Sequence, residues 1–346
     1  MSRNLVVCFD GTWNKDEAEK YEYKETNVRR IFDSIKETEL QKKLYIEGVG
    51  TESFWDKIFG GLSGHGLSEN IIEGYKWLAE NFIEGDKIFT LGFSRGAYSA
   101  RSLVGMIRNT GLLHQENVGD WLYRAYEIYR QRDEGPDTEE ALKFRADYSW
   151  DPKVIGIHFV GIWDTVGSLG IPGNIDDKTL FEFHDTRLSS IVKNAFHAVA
   201  IDEHRKDFDV TLWNPISDNP NQVMEQRWFA GAHSDIGGGY KERDLSDITL
   251  KWMEERASDC GLVLDPEKMI QDVSENYLLK CHDSCFGKQC SLLAKICFFI
   301  RGQITREIGR TKYGHETIDE SVVLKCQDGK CCYRPKNPGM EKMNNI

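Results

Sequence analysis

The chain has 346 residues, room for about two domains or for one large α/β unit with a sizeable core. At 40% hydrophobic and 29% charged residues, with 31 Gly and only 8 Pro, it is neither collagen-like nor wholly disordered. The 44 Lys and Arg against 56 Asp and Glu give a net charge of −12, which argues against nucleic acid as a partner and against electrostatic adsorption to anionic lipid, but leaves an apolar, peripheral membrane contact open.

Leu5 to Phe9 is a short apolar run ended by Asp10-Gly11-Thr12, which predicts a buried strand feeding a turn. Val28, Ile31, Phe32 and Ile35 recur at helical spacing across residues 27–37, and Lys43 to Glu47 predicts a second strand. After a Gly-rich stretch at 60–67, Ile71, Tyr75, Leu78 and Phe82 mark another amphipathic helix. Lys87 to Phe93 predicts a third strand, and Ala97 to Asn109 a helix stopped by Gly111. Strands and helices alternating in this way predict a parallel sheet with right-handed crossovers. The alternation resumes with a strand over Val154 to Trp163 and a helix over Ser189 to Ala200. Strands over Phe208 to Trp213 and Gln226 to Ala230 follow, then a helix over Leu245 to Cys260. Residues 115–150 are helical and aromatic, residues 168–190 loop-like. Both interrupt the alternation and are expected as cap or lid insertions. Beyond Gly261 the pattern fades.

No apolar run reaches the ~18–20 residues of a spanning helix, and the first residues lack a signal-peptide h-region. The expectation is synthesis in the cytoplasm, with any export through a specialised system. Eight of the nine cysteines follow residue 259. Their C-x3-C-x4-C and C-x4-C-C spacings lack the paired C-x2-C units of structural zinc sites, so no metal is assigned.

Gly92-Phe93-Ser94-Arg95-Gly96 matches G-x-S-x-G between a strand and a helix, the setting that exposes a serine on a tight, strained turn. The small residues Ala97, Ser99 and Ala100 let the following helix pack closely. A serine nucleophile needs a histidine to take its proton and an acid to hold that histidine, and in this arrangement the chain order is Ser, acid, His. Asp164, directly after an apolar strand, is the candidate acid. His233, entering the glycine-rich loop 233–240 after a late strand, is the preferred base, with His197 and His204 as rivals. The oxyanion is expected to take the N–H of Arg95 and one from Gly11 or Thr12. Asp10, His197 and Asp235 are kept as supporting residues, Asp10 to order its own loop.

These motifs are collinear with a known family. Phe9-Asp10-Gly11-Thr12-Trp13-Asn14, Tyr45 to Thr51, Gly64-His65-Gly66-Leu67, Gly92 to Tyr98, Trp163-Asp164-Thr165-Val166-Gly167, His197 to Glu203 and His233 to Tyr240 resemble the α/β-hydrolase domain of the first family of type VI secretion lipase effectors. The resemblance runs from residue 4 to about 255. It implies a Ser-Asp-His hydrolase acting on ester bonds, phospholipids in the effector members, and carries over to Ser94, Asp164 and His233. The cysteine cluster is not part of that pattern, and the chain has little room for the further docking or delivery segments of the effectors.

The expected fold is therefore an α/β-hydrolase-like, mostly parallel sheet with helices on both faces, over residues 1–260. A Cys-containing region, 261–346, is expected to pack on the same domain. The expected function is a serine esterase or lipase on a lipid or small ester, with no cofactor. A deacylase or thioesterase on a soluble substrate and a non-catalytic binding module on the same fold are the alternatives. Trp121, Leu122, Tyr126 and Tyr129, with Leu169, Ile171, Leu180 and Phe181, either pack the caps down or form an apolar rim for an acyl chain. Oligomeric state is not legible.

Overall fold

A computed structural model of the chain describes residues 2–11, 25–48, 65–131, 135–166, 187–214, 221–285, 302–311, 315–329 and 332–342. The elements in chain order are β1 (Asn4–Phe9), α1 (Asn27–Ser34), β2 (Gln41–Ile46), α2 (His65–Asn81), β3 (Lys87–Phe93) and α3 (Arg95–Thr110). Then come α4 (Val118–Arg130), α5 (Glu139–Tyr148), β4 (Ile157–Trp163), β5 (Val192–Ala200) and β6 (Val223–Phe229). The chain ends with α6 (His233–Gly237), α7 (Asp244–Asp259), β7 (Glu316–Ile318) and α8 (Glu320–Gln327). Seven strands form one sheet in the order β2-β1-β3-β4-β5-β6-β7, and every neighbouring pair runs parallel.

A parallel sheet covered on both faces is apolar on both, and β1 shows how one run serves two cores. Leu5, Val7 and Phe9 face a cluster that includes Tyr75, Leu78, Leu103 and Ile107 of α2 and α3. Val6 and Cys8 face the opposite cluster, with Val28 and Ile31 of α1 and Leu245, Trp252 and Met253 of α7. A third cluster joins Val199, Ile201 and Trp228 to Ile308, Val322, Cys326 and Met340. The region beyond residue 261 thus adds an edge strand and a core layer of its own. Helices α4 and α5 bury Leu122, Ala125, Ile128, Tyr129 and Phe144 in the first cluster, against α2 and α3. Trp121 and Tyr126 pack only partly buried on that cluster, and Tyr123 is exposed. Most of segment 168–190, including Leu169, Ile171, Leu180 and Phe181, lies outside the described residues.

Three expected elements differ. The helix expected over Ser189 to Ala200 is strand β5, whose backbone is hydrogen-bonded to β4 on one side and β6 on the other. Two flanking ladders outweigh the helical preference of its alanines. The strand expected over Phe208 to Trp213 is a 3-10 turn (Lys206–Phe208) followed by irregular chain with a single bridge, Val210 to Val166. Side chains satisfy that backbone instead: Gln226 accepts from the Trp213 N–H and donates to its carbonyl, and Arg310 donates to Val210. The strand expected from Val154 begins at Ile157, because Asp151 caps a helical turn at Pro152–Ile155.

Among the described residues, no helix is long and apolar enough to cross a membrane, and no group of His, Cys, Asp and Glu could hold a metal ion. Cys8, Cys260, Cys281, Cys285, Cys326 and Cys332 are free thiols.

Candidate active site

With all seven strands of the main sheet parallel, their C-terminal ends share one edge of it, where α/β folds place their ligand-binding loops. Phe9 lies beside Gly92, Phe93 beside Trp163, Trp163 beside Ala198, and Ala200 beside Phe229. The residues that follow these positions, Asp10, Ser94, Asp164, Glu203 and the loop into His233, are thereby gathered from across the sequence.

Ser94 occupies the N-cap of α3 with φ 57° and ψ −120°. A non-glycine residue there costs on the order of 1–3 kcal/mol and persists only where the surroundings impose it. They do so here through close contact. A Cβ on Gly96 would fall 2.1 Å from the Phe9 carbonyl oxygen, so only glycine lets α3 start against the end of β1. The Ser94 N–H donates to the Trp163 carbonyl at 3.1 Å, which ties the turn to β4.

Asp164, the residue after β4, is wholly buried and also has a positive φ, 37°. Its carboxylate accepts four hydrogen bonds. Oδ1 takes Arg306 Nη1 at 2.6 Å and the Ala200 N–H at 3.0 Å; Oδ2 takes His233 Nδ1 at 2.6 Å and Arg306 Nη2 at 3.1 Å. Burial alone would raise this carboxyl. The Arg306 charge and the His233 hydrogen bond outweigh it and hold Asp164 well below the usual carboxylate range.

His233 opens α6, and its ring packs against two aromatics. The Phe93 ring is 4.6 Å away centre to centre, the Phe208 ring 5.1 Å away and edge-on. Because Phe93 immediately precedes Ser94, this contact brings the imidazole to the elbow. Gly237 permits it, since a Cβ there would fall 2.0 Å from the Phe93 ring. The His233 N–H donates to Glu203 Oε2 at 3.2 Å, and Glu203 is itself clamped by Arg205 through both oxygens and by the Ser284 hydroxyl. Arg205 holds Glu203 down to about 2 against its burial. Burial pushes His233 below its ordinary 6.5, opposed by Asp164.

The other expected residues have different surroundings. His197 is on β5, not on a helix, and is fully buried. Its Nε2 accepts the Thr165 N–H at 3.2 Å, and burial, helped by Arg101, pushes it down to about 3. It braces the turn after Asp164 and stays neutral. His204 Nδ1 meets the Ile304 carbonyl at 3.0 Å.

Asp235 accepts from the Ala232 N–H at 2.9 Å and from His282 Nδ1 at 2.6 Å, so it fastens the loop carrying His233 to the C-terminal region. Asp10 accepts from the Thr26 and Tyr45 hydroxyls and from the Gly11 N–H at 2.6 Å. Burial raises it to about 6, opposed by those bonds. A Cβ on Gly11 would lie 3.5 Å from the Ser94 Cβ, which puts this loop beside the nucleophile candidate. The Gly11 N–H, expected as an oxyanion donor, is instead engaged by Asp10. Arg95, whose N–H is the other expected donor, is the first residue of α3. Thr12 lies outside the described residues.

Two partners were not foreseen as site residues. Glu203 stands inside the His197 to Glu203 motif but carries no mark of its role. Arg306 has no local signal at all, since it comes from irregular chain beyond the alternating region.

The family model described as T6SS, phospholipase effector Tle1-like, catalytic domain, matches residues 3–256. "Uncharacterized protein YEL023C" of Saccharomyces cerevisiae is 28% identical over 237 residues, covering 62% of this chain and 33% of the yeast protein. A solved structure of the Tle1 effector bound to the VgrG spike of the type 6 secretion system aligns at 20% identity with a TM-score of 0.43, covering 70% of this chain and 52% of that one. A protein from Pseudomonas aeruginosa, described as uncharacterized, aligns at 21% identity with a TM-score of 0.47, covering 78% and 48%. The chain thus spans about a third of the yeast protein and about half of each solved chain.

Proposed function

The chain belongs to the Tle1-like phospholipase effector family, matched through its catalytic domain, and from that premise we propose that it is a serine esterase cleaving carboxylic esters of lipids. Ser94 Oγ attacks the ester carbonyl as His233 Nε2 takes its proton. Asp164 holds the Nδ1–H and stabilises the imidazolium that forms. The imidazolium then returns the proton to the leaving alkoxide, and water repeats the cycle on the acyl-enzyme. The oxyanion is received by the Arg95 N–H and by a donor of the β1 loop. Thr12 supplies that second donor, or Gly11 does once its N–H leaves Asp10.

The observation that carries this reading is the 2.6 Å bond from His233 Nδ1 to Asp164 Oδ2. It aims the other ring nitrogen away from the acid, on an imidazole packed against the residue preceding Ser94. No cofactor enters the scheme. The apolar residues of α4, Trp121 and Tyr126, are the proposed contacts for an acyl chain, which favours chains of medium or greater length.

A fluorophosphonate probe followed by peptide mapping tests the nucleophile, with an adduct on Ser94 as the expected result. Hydrolysis of p-nitrophenyl esters of rising chain length, then of neutral and anionic phospholipid vesicles, tests the substrate class. Absence of an adduct on Ser94 in the folded chain refutes the enzyme. A preference for acetyl esters without vesicle hydrolysis leaves a small-ester esterase.

A further inference from the structure

Asp164 differs from a bare triad acid in having a guanidinium on both of its oxygens. Arg306 is wholly buried, donates to Oδ1 and Oδ2, and also donates to the carbonyls of Ala200 and Phe208. Its backbone is pinned from three directions. Ile304 and His204 exchange bonds, the Ile304 N–H to the His204 carbonyl and His204 Nδ1 to the Ile304 carbonyl. Gln303 bridges Arg205, and the Asn337 amide donates to the carbonyls of both Arg306 and Ile201. A fixed backbone and a bidentate fork leave Asp164 one orientation. Arg306 also lies outside residues 3–256, the span matched by the family model.

We propose that Arg306 is a positioning residue for the chemistry above: it locks Asp164 toward His233 and, by its charge, keeps His233 neutral to lower pH. The inference rests on the serine-esterase reading. The charged groups acting on His233 are Asp164 after β4 and Glu203 and Arg205 after β5, and Arg306 from the C-terminal segment shares with His233 the Oδ2 of Asp164. On its own element, Asp235 is turned toward Ala232 and His282. Each facing carboxylate is matched by one guanidinium, Asp164 by Arg306 and Glu203 by Arg205. The formal charges around the imidazole therefore sum to zero, so the pull of Asp164 toward the protonated form is offset in part, and burial disfavours that form further. Removing the Arg306 charge leaves one net negative charge beside the ring.

The test measures His233 directly and catalysis separately. In the purified full chain labelled with 15N-histidine, the His233 ring is titrated by NMR, its signals identified by their loss in His233→Ala. In parallel, Ser94 labelling by a fluorophosphonate counts active sites. Wild type is expected to titrate below 6.5, Arg306→Gln about one pH unit higher, and the acid limb of kcat/KM for p-nitrophenyl butyrate to move with it. Arg306→Lys keeps the charge but cannot hold both oxygens, so its titration stays near wild type while kcat per labelled site falls about tenfold at unchanged KM. An identical His233 titration in Arg306→Gln and wild type overturns the proposal. Should Arg306→Gln fail to fold, wild-type kcat per labelled site in Arg306→Lys overturns it. Wild type that never labels, yet whose His233 titration answers to Arg306, refutes the esterase and supports the coupling.

Discussion

Asp164→Asn removes one charge with little change of shape, and the structure makes its consequence larger than a loss of rate. The carboxylate accepts from four donors, two on each oxygen. An asparagine offers one oxygen and one NH2, so whichever way it is turned, its NH2 confronts two donors. If the NH2 takes the Oδ2 position, His233 Nδ1 must accept, the ring proton moves to Nε2, and in the proposed mechanism the imidazole can no longer receive the Ser94 proton. If it takes the Oδ1 position, Arg306 Nη1 and the Ala200 N–H lose their acceptor. In both cases Arg306 becomes a buried cation without a counter-charge, and breaking such a pair from one side costs about 3–5 kcal/mol. The expected result is therefore a loss of about 3–5 kcal/mol in urea unfolding followed by tryptophan fluorescence at pH 7. Hydrolysis of p-nitrophenyl butyrate per folded molecule should fall by about 10⁴-fold. A variant within about 1 kcal/mol of wild type would show that Arg306 does not depend on this charge. One retaining a tenth or more of the rate would remove Asp164 from the proposed triad.

Three further outcomes follow from the same geometry. Gly96→Ala drives a Cβ to 2.1 Å from the Phe9 carbonyl; it should cost about 1–3 kcal/mol in thermal or urea unfolding and displace the Ser94 turn enough to abolish labelling, and wild-type labelling would refute the packing argument. His233→Ala should abolish hydrolysis in a folded protein, whereas His197→Ala should keep the rate per folded molecule and lose about 2–3 kcal/mol by orphaning the buried Thr165 N–H and opening a cavity; the opposite pattern would make His197 the base. Glu254, buried with one oxygen on the Ile270 N–H, is raised by burial from 4.5 to about 7. Folding thus favours its protonated form: its stabilisation is complete below about pH 4.5 and lost as pH rises through about 7, a change on the order of 3 kcal/mol. Glu254→Gln should flatten the stability–pH curve over that range, and an unchanged slope would show that the carboxyl is not the cause.

Much of this molecule is legible in short stretches of chain. The apolar runs of β1 and β3, the helical spacing of α2 and α3, and the glycines around Ser94 are local signals, because strand, elbow and helix must be contiguous to make that turn. Asp164 is legible for the same reason, as the polar residue ending an apolar strand. Strand β5 is not. Its alanines suit a helix, and only the ladders to β4 and β6, built by residues some 30 positions away on either side, make the extended form better. The chain before β6 misleads in the opposite sense, since Gln226, Arg101 and Arg310 satisfy the carbonyls and N–H groups of 210–213 that a strand partner would have taken.

The electrostatics of the site belong wholly to the tertiary structure. Sequence order alone nominates Ser94, Asp164 and, ahead of His197 and His204, His233, because the chemistry demands an acid and then a base after later strands. It says nothing of Arg306, which is 142 residues from the carboxylate it holds, or of Glu203 under the His233 backbone. Nor does it show that the Gly11 N–H is taken by Asp10. A charge pair is decided by distance and burial, and neither is a property of neighbouring residues along a chain. Only when the sheet brings its strand ends to one edge, and the C-terminal segment closes over them, do these groups lose water and come to depend on one another.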